Sequence, residues 1–151
     1  MKRFVGLILF FIAVTTHAQI EGAVTGNHWV GTWATAQQPV VRSFMPYNNN
    51  MSGRSVRQIV KVSIGGKQLR LELSNELSRE PLVIRSVYIA HATDSCAIEP
   101  SSAKYLKFNG NYNTIIPAGK SRFSDALTFD LQPLERLAIT INYDKAPRIP
   151  T

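Results

Sequence analysis

The residues of this chain that could do chemistry are few and stand far apart. Asp94 and Ser95 place a carboxylate beside a hydroxyl, and His28 and His91 are the histidines outside the N-terminal segment. A hydrolase needs a nucleophile, a base that takes its proton, and donors for the developing oxyanion. Thr93 precedes Asp94, so no glycine relieves the turn that a Gly-Asp-Ser nucleophile requires. We therefore predict an ordinary polar loop here and no catalytic residue in this chain.

The histidines and the single cysteine have structural interpretations. His28 precedes the tryptophan Trp29, His91 ends a predicted strand, and no acidic cluster between them would complete a metal site. One cysteine forms no internal disulfide, and nothing near Cys96 in the sequence activates a thiol, so we predict a partly buried, inert side chain. The sequence predicts neither a metal ion nor an organic cofactor.

The N-terminus has the three parts of a cleavable signal peptide. Lys2 and Arg3 form a basic start, residues 4–14 are apolar, and small or polar residues follow as far as Ala18. The apolar run is well short of the ~20 residues that span a bilayer. We predict a signal peptide over residues 1–18, export to the periplasm or the cell exterior, and no stable membrane span.

The charge of the chain is basic, with a formal net charge of +7, two of which come from the predicted signal peptide. A basic balance favours acidic polysaccharides, anionic membrane surfaces or nucleic acid as partners. The cations are scattered singly along the predicted strands, and no aromatic and basic stripe of the kind that stacks bases is visible. We therefore predict that nucleic acid is not a partner.

The elements that must position these residues are β-strands, because apolar and polar residues alternate with a period of two. Two such runs, residues 60–64 and 68–74, flank Gly65-Gly66, which predicts a tight hairpin with both glycines at positive φ. Further predicted strands cover residues 82–90, 105–108, 127–131 and 137–143. Predicted turns lie at Asn109-Gly110, Pro117-Ala118-Gly119 and Gln132-Pro133.

Short strands separated by turns predict an all-β fold, an antiparallel and jelly-roll-like β-sandwich, over residues 29–145. A lead-in of residues 19–28 precedes it, and the proline-containing residues 146–151 are typical of the start of an interdomain linker. The stretch from Gln37 to Arg54 interrupts the strand pattern, and loops of this length are either functional or mobile.

Aromatic residues are candidates for sugar-stacking platforms. Trp29 and Trp33 are four apart, so on a strand both side chains would point to one face, and we favour the core for that face. Tyr47, Tyr105 and Tyr112 remain candidate exposed platforms.

The order of several phrases in the sequence resembles the N-terminal region of secreted SGNH/GDSL-type esterases, the lipase and acetylxylan-esterase-like group. The similarity extends over about residues 29–144. The phrases are Trp29-Val30-Gly31-Thr32-Trp33-Ala34-Thr35-Ala36, Val56-Arg57-Gln58-Ile59-Val60, Ser63-Ile64-Gly65-Gly66, Leu69-Arg70-Leu71-Glu72-Leu73-Ser74-Asn75-Glu76, Glu80-Pro81-Leu82, Ile116-Pro117-Ala118-Gly119, Ser124-Asp125 and Leu134-Glu135-Arg136-Leu137-Ala138-Ile139-Thr140-Ile141.

The resemblance implies a β-sandwich that precedes an α/β catalytic domain in the same polypeptide. In that family a serine, a histidine and an aspartate of the catalytic domain form the triad, in motifs that lie downstream of this region. None of those motifs occurs in this sequence, so the resemblance assigns no catalytic residue here. We expect an accessory domain, present as a fragment, that helps to shape a site for an acyl ester or an acetylated polysaccharide.

Two other functions remain open from the sequence. The β-sandwich pattern, the basic charge and the candidate surface tyrosines also fit a stand-alone carbohydrate-binding or adhesion module. Hydrolysis of esters by this chain itself is the weakest hypothesis, because the sequence shows no nucleophile, base or oxyanion donors arranged for it.

Overall fold

The structure is a computed structural model that describes residues 28–45 and 50–150. The predicted signal peptide, most of the predicted lead-in and Tyr47 lie outside the described residues. Within the described ranges, no helix is long and apolar enough to cross a membrane. The elements there are two short 3₁₀ turns, Arg42–Phe44 and Pro100–Ser102, and the strands β1 (Ser55–Lys61), β2 (Gly66–Leu69), β3 (Glu72–Ser74), β4 (Leu82–His91), β5 (Lys104–Tyr105), β6 (Thr114–Ile116), β7 (Ser121–Phe123), β8 (Leu127–Leu131) and β9 (Arg136–Lys145).

One layer of the molecule is a large antiparallel sheet in which β1, β9, β4 and β5 follow one another. β5 and β6 pair with opposite ends of the same edge of β4. Residues directly opposite each other in such a pairing share a face, so the pair Val87 and Ile141 faces the core. The neighbouring pair Tyr88 and Thr140 therefore lies on the other face, which we call the outer face.

The second layer is an antiparallel ribbon in two parts, because β2 pairs with β8 and β3 pairs with β7. Between the two parts, Ser124 continues the contact: its N–H donates to the carbonyl of Leu71 at 2.8 Å, and its hydroxyl accepts the N–H of Leu71 at 2.9 Å. A side-chain oxygen thus replaces one backbone acceptor where the ladder is interrupted. The strand predicted over residues 68–74 is divided at this point.

The core lies between the two layers and is made of the inward residues of both. Phe129 of β8 and Ile89 of β4 are almost completely buried, one from each layer. The apolar positions of the alternating runs therefore supply most of the core, although Ala138 and Thr140 on the opposite face of β9 are buried as well. The predicted all-β, antiparallel sandwich class is confirmed. The buried apolar residues that form the cluster are Val60, Val62, Leu73, Leu82, Ile84, Val87, Ile89, Leu106, Phe108, Ile116, Phe129, Leu131, Leu137, Ile139 and Ala146.

The predicted hairpin at Gly65-Gly66 is wrong. β1 pairs with β9 and β2 pairs with β8, so the chain crosses here from one layer to the other. Neither glycine has a positive φ. Gly65 is required for another reason: an added Cβ would overlap the carbonyl oxygen of Leu131 and lie 2.9 Å from the backbone of Gln132 and Pro133. Two alternating runs beside two glycines do not reveal which strand each run will pair with.

The predicted turns are confirmed. Asn109 and Gly110 have φ values of 53° and 81°, and Gly119 has a φ of 72°, all in the left-handed region. The turn after Gln132 is held by Glu135, whose carboxylate accepts the N–H of Gln132 at 2.7 Å. Strands β6 and β7 were not predicted, because three residues are too few to show an alternation.

The segments at the two ends of the described chain lie against the sandwich. Residues 28–41 form no strand, but Thr32 accepts the N–H of Ile64 at 3.0 Å and donates to its carbonyl at 2.7 Å. The segment 146–150 is held by Arg148, whose N–H and guanidinium both bind the carboxylate of Glu80. The N–H of Val40 donates to the carbonyl of Pro150 at 3.2 Å, so the two segments meet.

Candidate functional site

The loop that carries Asp94, Ser95 and Cys96 has the structure of an ordinary polar turn. The N–H of Ser95 donates to the Asp94 carboxylate at 2.6 Å, which closes the turn locally. Cys96 is exposed, so the prediction of a partly buried thiol is wrong. The reason is that the loop is held by a backbone atom: the carbonyl of Cys96 accepts a hydrogen bond from Arg57 at 2.7 Å, and the side chain stays outside.

His91 ends β4, as predicted, and its ring packs on the core face against Phe129, with 4.7 Å between ring centres. Its Nδ1 lies 2.5 Å from the Glu135 carboxylate but makes no hydrogen bond. The hydroxyl of Ser102 binds the backbone N–H of His91 and not its ring. This environment is that of a structural side chain. Among the described residues, no three His, Cys, Asp or Glu side chains come together to hold a metal ion.

Trp29 and Trp33 do not form the predicted core face, because the segment that carries them is not a strand. Both side chains are close to half exposed. The guanidinium of Arg70 lies over the rings of both Trp29 and Phe123, with 4.6 Å and 4.5 Å from its carbon to the ring centres. Trp33 lines a cavity of about 80 Å³ between the layers, together with Leu71 and other apolar residues. That volume is far below the several hundred Å³ of a small-molecule site.

Asn75 joins several of the phrases on which the family resemblance depends. Its side chain is 1% exposed, and its amide nitrogen lies 2.9 Å, 3.1 Å and 3.2 Å from the carbonyl oxygens of Glu80, Ile116 and Pro117. Its backbone carbonyl accepts the N–H of Gly119 at 3.0 Å. Three phrases that are separate in the sequence therefore meet at one buried amide, and their role there is structural.

The most prominent arrangement of exposed aromatic and charged side chains is on the outer face of the large sheet. Tyr88 of β4 and Tyr105 of β5 are direct cross-strand partners with ring centres 5.5 Å apart. The ring of Tyr112 meets that of Tyr105 edge to face at 5.8 Å. We call these three side chains the tyrosine row. Tyr105 and Tyr112 are each 53% exposed, as expected of platforms.

Arg57 extends the tyrosine row across the sheet. Its Nε donates to the Thr140 hydroxyl at 2.9 Å, and one terminal nitrogen donates to the Tyr88 hydroxyl at 2.7 Å. The hydrogen bond from Thr140, and after it the bond and charge of Arg57, hold the pKa of the Tyr88 phenol below its usual value against the opposing effect of burial. The phenol is therefore fixed in place and polarised.

A second polar row lies beside the first on the outer face. Asn142 pairs with Ser55 of β1 on one side and with Ser86 of β4 on the other. Its amide nitrogen donates to the Ser86 hydroxyl at 2.8 Å, and the Ser55 hydroxyl donates to its amide oxygen at 2.5 Å. Since residues of one face repeat every two positions, this row is about 7 Å from the tyrosine row.

The turn that carries Tyr112 is fixed by Asp125. Its two carboxylate oxygens accept the N–H groups of Asn109 and Gly110 at 2.9 Å and 2.8 Å, and its own N–H donates to the carbonyl of Lys107 at 2.7 Å. The ammonium of Lys107 lies 5.3 Å from the centre of the Tyr112 ring. The ribbon of the second layer thus positions the outer end of the tyrosine row.

The sequence pointed to Tyr105 and Tyr112 but missed Tyr88 and Arg57. A signal was available, since both occupy polar-face positions within apolar alternating strands. What the sequence did not contain is the register that sets them side by side.

No protein-family model matches the chain, and no curated protein matches it either.

Proposed function

We propose that this chain is an accessory, non-catalytic β-sandwich domain of a secreted SGNH/GDSL-type ester hydrolase. The proposal starts from the ordered phrases of the sequence. It is supported by the way in which several of those phrases join in one hydrogen-bonded frame around Asn75. In this role the domain supports a catalytic domain of the same polypeptide and supplies no group to the reaction.

The observation that carries the proposal is an apolar patch at the junction of the two terminal segments. Val41, Phe44 and Ile149 are neighbours of the Val40 to Pro150 hydrogen bond, and we call them the terminal patch. They are exposed, Phe44 to 81%. Exposed apolar residues at one place mark a surface for another protein surface. A catalytic domain that follows residue 151 would begin beside this patch and cover it.

Reading the adjacent coding sequence tests the proposal directly. We expect the reading frame to continue into a Gly-Asp-Ser motif, and a stop codon without such a motif downstream would contradict the fragment interpretation. In a second measurement, the isolated chain should turn over p-nitrophenyl acetate no faster than a heat-killed control. Turnover above that control would contradict the non-catalytic role.

Self-association of the isolated chain tests whether the terminal patch is a surface that another protein surface covers. The chain should self-associate on size exclusion at high concentration, and Phe44→Ser should shift it towards the monomer because a large and highly exposed apolar side chain of the patch is lost. Ile115→Ser, which removes an exposed apolar residue of β6, is the matched control and should leave the elution unchanged. A monomeric parent chain would contradict the patch as a covered surface.

A stand-alone carbohydrate-binding or adhesion module is the second candidate function. The specific observation in its favour is the tyrosine row, because exposed aromatic rings provide apolar faces on which sugar rings stack. Retention on polysaccharide gels tests it, and a chain that no polysaccharide retards would contradict it.

A further inference from the structure

The tyrosine row is built and held as a binding surface would be. The rings of Tyr105 and Tyr112 are exposed, the strand pairing fixes the spacing of Tyr88 and Tyr105, and the outer end of the row is on a turn tied down by the Asp125 carboxylate. Tyrosine side chains with few rotatable bonds on a rigid backbone lose little conformational entropy on binding. The surface therefore needs no rearrangement to accept a flat, partly apolar ligand.

The charges at the two ends of the row are positive and have no carboxylate partner among the described residues. Arg57 and Lys107 form no ion pair there. The hydrogen bonds of Arg57 use three of its five N–H groups, and those go to neutral oxygens. The Asp125 carboxylate near Lys107 is occupied by two backbone N–H groups. An anionic ligand would complement both ends.

The placement of the cations and the tilt of the rings favour one class of anionic polymer. Tyr88 and Tyr105 meet at 56°, and Tyr105 and Tyr112 meet at 73°. Proteins that bind single-stranded nucleic acid combine aromatic platforms with a positively charged groove that follows the phosphate backbone, whereas the cations that contact this row, Arg57 and Lys107, stand at its two ends. A twisted polysaccharide turns each sugar ring relative to the last, which suits tilted platforms. The row of Ser55, Asn142 and Ser86 beside it offers donors and acceptors to sugar hydroxyls.

We propose that the tyrosine row, with Arg57 and Lys107 at its ends, is a binding site for a polysaccharide that bears carboxylate groups, a uronic-acid glycan. The apolar faces of two sugar rings stack on Tyr105 and Tyr112, and carboxylates lie against the guanidinium and the ammonium. The site is independent of the ester-hydrolase proposal. The proposed site assigns a class of ligand, the uronic-acid glycans, to the carbohydrate-binding module that is the second candidate function.

The test is affinity electrophoresis and calorimetry of the intact chain with de-esterified polygalacturonate, with uncharged cello-oligosaccharides, and with single-stranded RNA. We expect polygalacturonate alone to retard the chain, with an affinity that falls as salt is added. Tyr105→Ala and Tyr112→Ala should each weaken binding about tenfold, and Lys107→Gln about fivefold. Phe123→Ala and Lys120→Gln, which remove an exposed aromatic ring and a cation elsewhere, are the matched controls and should bind like the parent.

Several outcomes would overturn the proposal. Equal retardation by the uncharged oligosaccharides would remove the role of the cations, and tighter binding of RNA would assign the surface to nucleic acid. Binding unchanged in both tyrosine variants, with circular dichroism showing them folded, would place the site elsewhere. None of these results depends on the reading frame or on ester turnover, so failure of this site and failure of the ester-hydrolase proposal are separate results.

Discussion

The buried side chain of Asn75 joins two backbone segments that are separate in the sequence. Its amide nitrogen faces three backbone carbonyl oxygens in a site almost closed to water. Buried carbonyls that lose their donor keep the cost of desolvation without the hydrogen bond. The stability of the turn between β6 and β7 therefore depends on a side chain more than 40 residues away in the sequence.

We predict that Asn75→Ala lowers the free energy of unfolding by about 3 kcal/mol, because it removes these hydrogen bonds and leaves a small void. Urea denaturation followed by circular dichroism measures this change. Asn113→Ala, at an exposed position, should change stability by no more than about 0.5 kcal/mol. An unaltered midpoint for Asn75→Ala would show that the amide is dispensable.

Gly65→Ala tests the close approach at the crossing between the layers. The added methyl group would overlap the carbonyl oxygen of Leu131, and backbone atoms cannot swing aside as a flexible side chain does. We expect a loss of about 1–3 kcal/mol. Gly31→Ala is the matched control, since nothing lies within 4 Å of its added Cβ. Thermal unfolding of both variants measures the loss of stability, and equal melting temperatures would contradict the steric overlap at Gly65.

At the scale of the element, the segment 28–41 is attached by polar contacts more than by burial. Thr32 binds both backbone groups of Ile64, and its carbonyl accepts the N–H of Ser63 at 3.1 Å. Most of the segment is exposed. Elements held by few contacts open locally without global unfolding.

We predict that Thr32→Val increases hydrogen exchange at the Ser63 amide about tenfold, because two hydrogen bonds that hold the segment are lost. The measurement is amide exchange by NMR or mass spectrometry. Thr35→Val removes only a 3.5 Å contact with the next residue and should leave Ser63 exchange as it is. Equal exchange in the two variants would mean that other contacts hold the segment.

At the scale of the whole molecule, one buried tyrosine makes the stability of the sandwich depend on pH in the alkaline range. Tyr143 of β9 packs against the core, and burial raises the pKa of its phenol above the usual value near 10. The unfolded chain therefore ionises at a lower pH than the folded one. The contribution of the Tyr143 phenol to the free energy of unfolding is fully present below about pH 10. It is lost as the pH rises from about 10 through the raised pKa of the folded state.

Tyr143→Phe should therefore match the parent at pH 7 and lose less stability than the parent as the pH rises above about 10. Urea titrations at a series of pH values measure the difference. Tyr112→Phe, an exposed tyrosine, should retain the alkaline loss of the parent. The contribution of Tyr88 to the pH dependence of stability has the opposite sign, because its pKa is lowered by folding. Tyr88 is present in the parent and in both variants, so its contribution cancels when they are compared.

The amino-acid sequence by itself determined the class of this fold and the faces of its strands. Alternation of apolar and polar residues predicts which face of a strand packs on the core, because the period of two is a local property of extended backbone. The turn at Asn109-Gly110 is local in the same sense, since it depends on the φ that its own residues tolerate.

Only the tertiary structure decided which strands pair. The misassigned hairpin at Gly65-Gly66, the divided strand at Leu71 and the surface position of Trp29 all depend on partners distant in the chain. The tyrosine row depends on them too, since Tyr88 and Tyr105 become neighbours only through the pairing of β4 with β5. Pairing is decided by packing and hydrogen bonding over long separations, and those energies leave no periodic trace in the sequence of either strand alone.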